Sequence, residues 1–348
     1  MRIESVTPHV IAQKLDAPFG MPQWDWDVRA SCLVEITTDD GLTGWGECFG
    51  PAVANRELIE SVFAPMILGR DASELVSLWE TMYNRNREWG RRGISIAAIS
   101  GIEIALWNLA GNSARLPLYR LLGGTASTHV NTYASAFYYR GAWADDVEAE
   151  AASLANAGYS AVKMKVGRSM RVDIERVQRV RSTLGLGIRL AVDANRGFTT
   201  NEAVTFEREL RDCDIWYFEE PVIPEDLEGY REIRTRSAVP IAGGESEFTR
   251  LGFRELIETR SVDILQPDAT ACGGIRETLL IAGMASAHGI SALPHLWGTS
   301  ITVAAGLPCP PPCRRSHRRS VARRRSSNST RHRTHFVKGC PGSPSGPL

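Results

Sequence analysis

The stretch Ile215-Trp216-Tyr217-Phe218-Glu219-Glu220-Pro221 decides the fold of this chain. Four apolar residues are too few for a helix, and they end on two acids and a proline. That combination describes a short strand, buried on both faces, that stops abruptly in a turn. The pattern repeats on either side of it. The run Ile188–Val192 ends on Asp193, 26 residues before Glu219, and Pro240–Gly243 leads to Glu245, 26 residues after it. Further out, Val130–Ser135, Ala161–Val166, Val262–Gln266 and Ile290–Pro294 read the same way. Amphipathic stretches such as Asp145–Ala157, Met170–Thr183 and Gly274–Ala287 lie between them. Strand and helix alternating this often predict a parallel α/β sheet, and the number of units points to a closed TIM-like barrel. An open doubly wound sheet is disfavoured, because no Gly-rich phosphate turn follows any of the strands.

The first part of the chain reads differently. Ser31–Thr38, the turn Asp39-Asp40-Gly41 and Leu42–Glu47 predict a hairpin. Ile94, Ala97, Ala98, Ile102, Ala105, Leu106 and Leu109 recur at three- and four-residue steps. They predict a helix of about four turns, with Gly111 as its stop. The expected organisation is an α+β domain over 1–124, a barrel over 125–307 and a basic tail over 308–348.

Ionisable residues fall at the C-terminal ends of successive apolar runs: Lys163 and Lys165, Asp193, Glu219, Glu245, Asp268, then His295. Charges at that mouth of a barrel read as catalytic. One such residue would more often be a salt bridge or a helix cap, but six consecutive strands delivering one each are hard to explain that way. Asp193, Glu219 and Glu245 offer hard oxygen donors from adjacent strands, a set that suits Mg²⁺ better than Zn²⁺. Lys163 and Lys165 stand two apart on a strand and so share a face. Mutual repulsion is expected to lower their proton affinity, as a lysine base requires. A carboxylate at Asp268 would fix the tautomer of His295 and leave its other nitrogen for proton transfer.

These motifs make the body of the chain resemble the mandelate racemase subgroup of the enolase superfamily. The resemblance rests on Lys163-Met164-Lys165, Val192-Asp193-Ala194-Asn195, Phe218-Glu219-Glu220-Pro221, Gly243-Gly244-Glu245-Ser246, Gln266-Pro267-Asp268 and Pro294-His295-Leu296-Trp297. Gly44-Trp45-Gly46-Glu47 and Ile104-Ala105-Leu106-Trp107-Asn108 extend it into the first domain. It implies an α+β capping domain on a modified (β/α)₇β barrel. It makes Asp193, Glu219 and Glu245 ligands of Mg²⁺, Lys165 one base, and the Asp268–His295 pair the other. Lys163, Asn195 and Ser135 match positions that contact the substrate carboxylate. The implied chemistry is removal of a proton next to a carboxylate, with the new charge offset by the cation and a lysine. Dehydration of an acid sugar to a 2-keto-3-deoxy acid is the expected outcome, and racemisation or epimerisation of a 2-hydroxy acid is the alternative. Specificity is expected from capping loops that hold Phe19, Met21, Trp24, Trp26 and Ala52–Arg56. Arg91 and Arg92 could read a second carboxylate, although surface basic residues before a helix are the plainer reading.

Charge and composition bound the partners. The chain carries 40 basic and 40 acidic side chains, but ten Lys/Arg and no Asp/Glu fall in 308–348. The remaining 307 residues therefore hold 30 basic against 40 acidic groups. An acidic body argues against nucleic acid as the main partner. Cys32, Cys48, Cys213 and Cys272 show no zinc spacing and read as reduced thiols. No signal peptide and no membrane-length apolar segment is expected, which points to a cytoplasmic protein with no membrane partner. A homo-oligomer is expected if the C-terminus is intact.

The tail departs from the family. The resemblance stops after Ala304-Ala305-Gly306-Leu307, before the eighth strand, which usually carries a Glu. Residues 308–348 are rich in Arg, Ser, Pro and His, and such a composition cannot build a core. A shift of reading frame accounts for them. The codons of Ser326 to Lys338, read one frame over with permitted third bases, give Leu-Glu-Phe-Asp-Pro-x-Pro-x-Pro-Leu-Arg-Glu. That segment looks like the missing strand.

Two other readings follow from the tail. One is a nucleic-acid binder acting through Arg314-Arg315, Arg318-Arg319 and Arg323-Arg324-Arg325, which lack interleaved aromatic residues. The other is an inactive remnant, because a barrel without its last strand leaves backbone groups unpaired. The chain as written is expected to be disordered beyond about Leu307, to express poorly and to be inactive on acid sugars. Limited proteolysis should trim it rapidly towards Leu307, and restoring the frame there should raise turnover. A protease-resistant tail in an active, unrepaired chain would contradict this.

Overall fold

The computed structural model describes residues 1–124, 130–140 and 146–306. Its first layer is an antiparallel sheet in the order β1 (Ile3–Gly20), β2 (Asp25–Thr38) and β3 (Thr43–Cys48). The hairpin read from the sequence is β2–β3, closed by Asp39-Asp40-Gly41 with Gly41 at φ 81°. Cys32, Val34, Ile36 and Thr38 alternate along β2 and are wholly buried on one face of the sheet.

Helices α1 (Ala52–Leu58), α2 (Ala64–Ile67), α3 (Leu75–Asn86), α4 (Ile94–Ala114) and α5 (Leu118–Leu121) complete this layer, with a π-helical turn, Ile59–Phe63, joining α1 to α2. Helix α4 lies directly on β3, and glycines allow the approach. A Cβ at Gly46 would strike the carbonyl of Gly101, and one at Gly44 the carbonyl of Ala105. At 21 residues α4 is longer than the sequence pattern predicts. Gly111 does not stop it. The chain leaves the helix at Arg115, in the left-handed conformation at φ 54°, and Leu116 N–H donates back to the Gly111 carbonyl at 3.0 Å. The expectation of no membrane-length apolar segment also needs correction, since α4 is long and apolar enough to cross a bilayer. Most of it is instead buried within the fold, against β2, β3, the capping helices and α11.

The second sheet is parallel and has seven strands: β4 (Ala134–Ala136), β5 (Ala161–Lys165), β6 (Arg189–Asp193), β7 (Ile215–Glu219), β8 (Ile241–Gly243), β9 (Ile264–Leu265) and β10 (Ser291–Ala292). They neighbour one another in sequence order. A doubly wound sheet would reverse direction at a switch point, so this order belongs to the enolase-like barrel. No pairing joins β4 to β10 among the described residues, and no eighth strand lies among them. The tail at 308–348 falls outside the described residues. Helices α6 (Val147–Asn156), α7 (Met170–Leu184), α8 (Thr200–Glu209), α9 (Leu227–Arg236), α10 (Thr249–Glu258), α11 (Ile275–Ala287) and α12 (Ser300–Gly306) follow the strands. Val162, Met164, Leu190, Val192, Phe218 and Ile241 pack beneath them in one apolar core.

Two buried carboxylates tie the layers together at helix N-termini, where free N–H groups attract anions. Glu103 on α4 accepts from the N–H groups of Ile275 (2.8 Å) and Arg276 (3.0 Å), which begin α11, and from the Trp107 indole (2.7 Å). Burial lifts its pKa to about 7, although the two backbone donors oppose that rise. Glu47 on β3 accepts from the N–H (3.1 Å) and hydroxyl (2.6 Å) of Thr299 and the hydroxyl of Thr302 (2.7 Å), capping α12. Ser31 on β2 donates to it as well, at 2.7 Å. Replacing Glu103 with Ala strands the two backbone donors and the Trp107 indole and is expected to cost about 1–3 kcal/mol. A urea midpoint unchanged from wild type would show that Glu103 is not a clamp.

Candidate active site

Strand register sets the geometry of the site. Lys165 lies opposite Asp193 across β5–β6, and Asp193 lies opposite Glu219 across β6–β7. Three ionisable groups therefore reach the same rim, one strand after another. Glu245 joins them two residues past the end of β8. Carboxylate oxygens of Asp193, Glu219 and Glu245 come within 4.8 Å of one another, and all three residues are buried. The backbone bends sharply beside them. Asn195 (φ 39°), Arg196 (φ 67°) and Glu220 (φ 38°) adopt left-handed conformations that non-glycine residues seldom take.

Cationic groups surround the three acids. Lys163 bonds Glu219 and stands 3.2 Å from Asp193. Lys165 donates to Asp193 at 2.6 Å and to the Asn195 side-chain oxygen at 2.7 Å. Asn195 in turn donates to Glu245 at 3.3 Å. On the other flank, His295 Nδ1 meets Asp268 at 2.7 Å and its Nε2 faces Glu245 at 3.1 Å. In strand order the lysines stand on one side of the acids and the Asp268–His295 pair on the other. Ser135, opposite Lys163 in register, is exposed at the same mouth, 3.3 Å from the Tyr138 hydroxyl.

Two electrostatic expectations need correction. Lys163 does lower the pKa of Lys165, as expected, but that repulsion does not set the balance. Burial pulls Lys163 and Lys165 down, but Glu219 and Asp193 outweigh it and hold both above the ordinary lysine value. The second imidazole nitrogen of His295 is not free either. Burial alone would lower its pKa, yet the charge of Glu245, then the bond to Asp268, lift it to about 9. Among the acids, burial and the neighbouring charge of Asp193 raise Glu219 to about 7. Burial would raise Asp193 as well, but Lys165 and Lys163 bring it below the usual carboxylate range.

The donor set fits a divalent cation. Glu220 is a fourth buried carboxylate beside the three, held by Ser246 (2.9 Å) and Arg196 (3.3 Å), and its pKa is pushed well up by burial and by Glu245. So much anionic oxygen around one point calls for concentrated positive charge.

Several supporting residues escaped the sequence reading. The Gln266 amide donates to Glu219 at 2.5 Å, and Thr270 holds Asp268 through its N–H at 2.8 Å. Gln266 lies inside a quoted motif and Thr270 two residues beyond it, but nothing in spacing marks a neutral side chain or a backbone N–H as the partner of an acid. Tyr138 lies 5.5 Å from the Lys165 ammonium and packs edge-on against Phe19 at 4.8 Å. Of the expected capping residues, Phe19 reaches the lysine flank through Tyr138, while Trp26 packs on Trp297 at 5.5 Å on the histidine flank. Met21 lends its carbonyl to Arg168 at 2.5 Å, Trp24 stacks edge-on against Trp26, and Ala52–Arg56 form the body of α1. Gln23, between β1 and β2, donates to the Asn195 backbone carbonyl. Arg91 is exposed, and Arg92 stands 3.6 Å from both Glu247 and Glu255, so its charge already has partners.

Comparison with known proteins places this geometry. The description "Mandelate racemase / muconate lactonizing enzyme, N-terminal domain" matches residues 5–123, and "Enolase C-terminal domain-like" matches residues 146–339. A D-galactarolactone cycloisomerase of Agrobacterium fabrum is 38% identical over 310 residues, 88% of this chain and 82% of that protein. An arabinonate dehydratase of Saccharolobus solfataricus is 38% identical over 78% of this chain and 74% of its own length. The structure of a racemase from Streptomyces coelicolor A3(2) with bound magnesium superposes with a TM-score of 0.83 at 30% identity, covering 89% of this chain and 87% of that one.

Asp193→Asn and Glu245→Gln each remove an anionic donor from the metal-binding triad. Calorimetry with Mg²⁺ should find affinity weakened by about tenfold or more in either variant. Wild-type affinity in both would place the cation elsewhere.

Proposed function

The chain belongs to the mandelate racemase / muconate lactonizing enzyme family of the enolase superfamily, and on that premise we propose that it removes the proton α to the carboxylate of a sugar acid and expels the oxygen on the neighbouring carbon. The observation that carries this reading is the division of bases, with Lys163 and Lys165 on one flank of the acids and Asp268–His295 on the other. Asp193, Glu219 and Glu245 would hold Mg²⁺, which supplies positive charge at the substrate carboxylate as its α-carbon loses a proton. The chain's own groups do the rest. Lys163, Asn195 and Ser135 hold the carboxylate, and Lys165 takes the α-proton. Asp268 keeps the His295 imidazole oriented, and His295 gives its proton to the departing oxygen. Donation requires a charged imidazole, and the Asp268 carboxylate at 2.7 Å favours that form.

If the departing oxygen is a hydroxyl, water leaves and the product is a 2-keto-3-deoxy acid. This is the reading we favour, and it accords with relatives named as arabinonate and galactonate dehydratases. If the oxygen belongs to a ring, the same two proton transfers open the ring without loss of water. The 38% identical relative named as a cycloisomerase favours keeping this second outcome. Returning the proton to the opposite face would instead give racemisation.

Solvent-deuterium exchange separates the roles. Lys165→Ala is expected to abolish exchange at the α-carbon. His295→Asn should retain exchange while slowing loss of the β-oxygen by about 10²–10⁴-fold. If each variant loses exchange with every sugar acid tested, the two flanks do not act separately and the reading fails.

A further inference from the structure

Arg29 stands out among the capping residues. It projects from β2, half-buried, with its guanidinium 4.1 Å from the centroid of the Trp297 ring. Trp297 lies two residues beyond His295. Phe49 bridges the two, 6.2 Å from Trp297 and 6.3 Å from the imidazole. Arg29 is thus linked to the histidine flank of the site by a continuous aromatic wall. Among the described residues no carboxylate pairs with it. A second donor is stranded in the same place. The indole N–H of Trp26, whose ring lies 5.5 Å from Trp297, is buried and has no acceptor among the described residues. Buried donors of this kind nearly always find a partner.

Both groups only donate. The fit is to a group that only accepts and carries negative charge, and a carboxylate does both. A terminal hydroxymethyl group would satisfy one donor and leave the guanidinium uncompensated. Stacking on Trp297 holds the guanidinium plane in place, ready for a two-pronged contact. The Gln23 bond to Asn195, between β1 and β2, holds the neighbouring stretch of the same hairpin against the rim of the site.

We infer that Arg29, with the indole N–H of Trp26, reads a second carboxylate at the far end of the substrate, so that the substrate is a sugar diacid or its lactone rather than a monoacid. This rests on the sugar-acid reading above and assigns the distal end of the same site. Arg29 is here a specificity residue and takes no part in proton transfer.

The test is equilibrium binding to the full chain in Mg²⁺ buffer, using pairs that differ only at the terminal carbon: galactarate with galactonate, and glucarate with gluconate. Wild type should bind the diacid of a pair about 10- to 100-fold more tightly than the monoacid. Arg29→Met should erase that preference while leaving monoacid affinity unchanged. Arg29→Lys, which keeps the charge but loses the fork, should fall between. If Arg29→Met also loses the monoacid, Arg29→Lys decides: a shrunken preference supports the inference and an undiminished one overturns it. Equal binding of both acids by wild type overturns it and leaves the proposed reaction standing. Failure of every sugar acid to bind or exchange its α-proton overturns the reaction and this inference together.

Discussion

Three carboxylates held within 4.8 Å of one another in a buried site repel strongly, and the rest of the structure is arranged around that repulsion. Lys163 and Lys165 press in from one side and His295 from the other. Each is buried, and each nonetheless keeps its proton more firmly than it would in water, because the acids outweigh desolvation. The same balance appears on the acids. Asp193, with two ammonium groups at hand, is driven down, while Glu219 is lifted by burial and by Asp193. Positive charge brought to the triad would loosen these pairings and release the flanking groups for proton transfer.

The capping layer is held to the barrel by the same economy of buried charge. Glu103 and Glu47 place their carboxylates at the first turns of α11 and α12, where backbone N–H groups lack helical partners. The Trp79 indole donates to the Gly273 carbonyl at 2.8 Å, and the Gly273 N–H donates to the Ser100 hydroxyl at 2.8 Å, in the same seam. Close approach of α4 to β3 at Gly44, Gly46 and Gly101 puts Glu103 within reach of the barrel. These contacts hold β2 and the loop before it at the mouth. Aromatic walls then rise on both flanks: Phe19 and Tyr138 near the lysines, Phe49, Trp26 and Trp297 near the histidine.

A good part of this was legible in the sequence. Short apolar runs ending in charge, spaced by one βα unit, determined the barrel and named the residues at its mouth. That worked because a strand end at a barrel rim is both a local feature and a fixed position in space. The seven-strand order follows once every crossover runs the same way. Element ends were less legible. Gly111 reads as a helix stop, yet Arg115 ends α4, because the glycine is needed where the returning chain packs against the helix.

What the tertiary structure alone decided is which charges are already satisfied. Arg92 and Arg29 look alike in sequence, each a basic residue in the capping layer. Packing puts Arg92 against Glu247 and Glu255 and leaves Arg29 over the Trp297 ring with no acid paired to it among the described residues. The Gln266 amide and the Trp26 indole acquire meaning in the same way, one by meeting Glu219 and the other by meeting no acceptor among the described residues. Spacing along a chain determines which residues reach a common rim. Whether a charge there is paired depends on contacts between residues far apart in sequence, and only the folded arrangement supplies those.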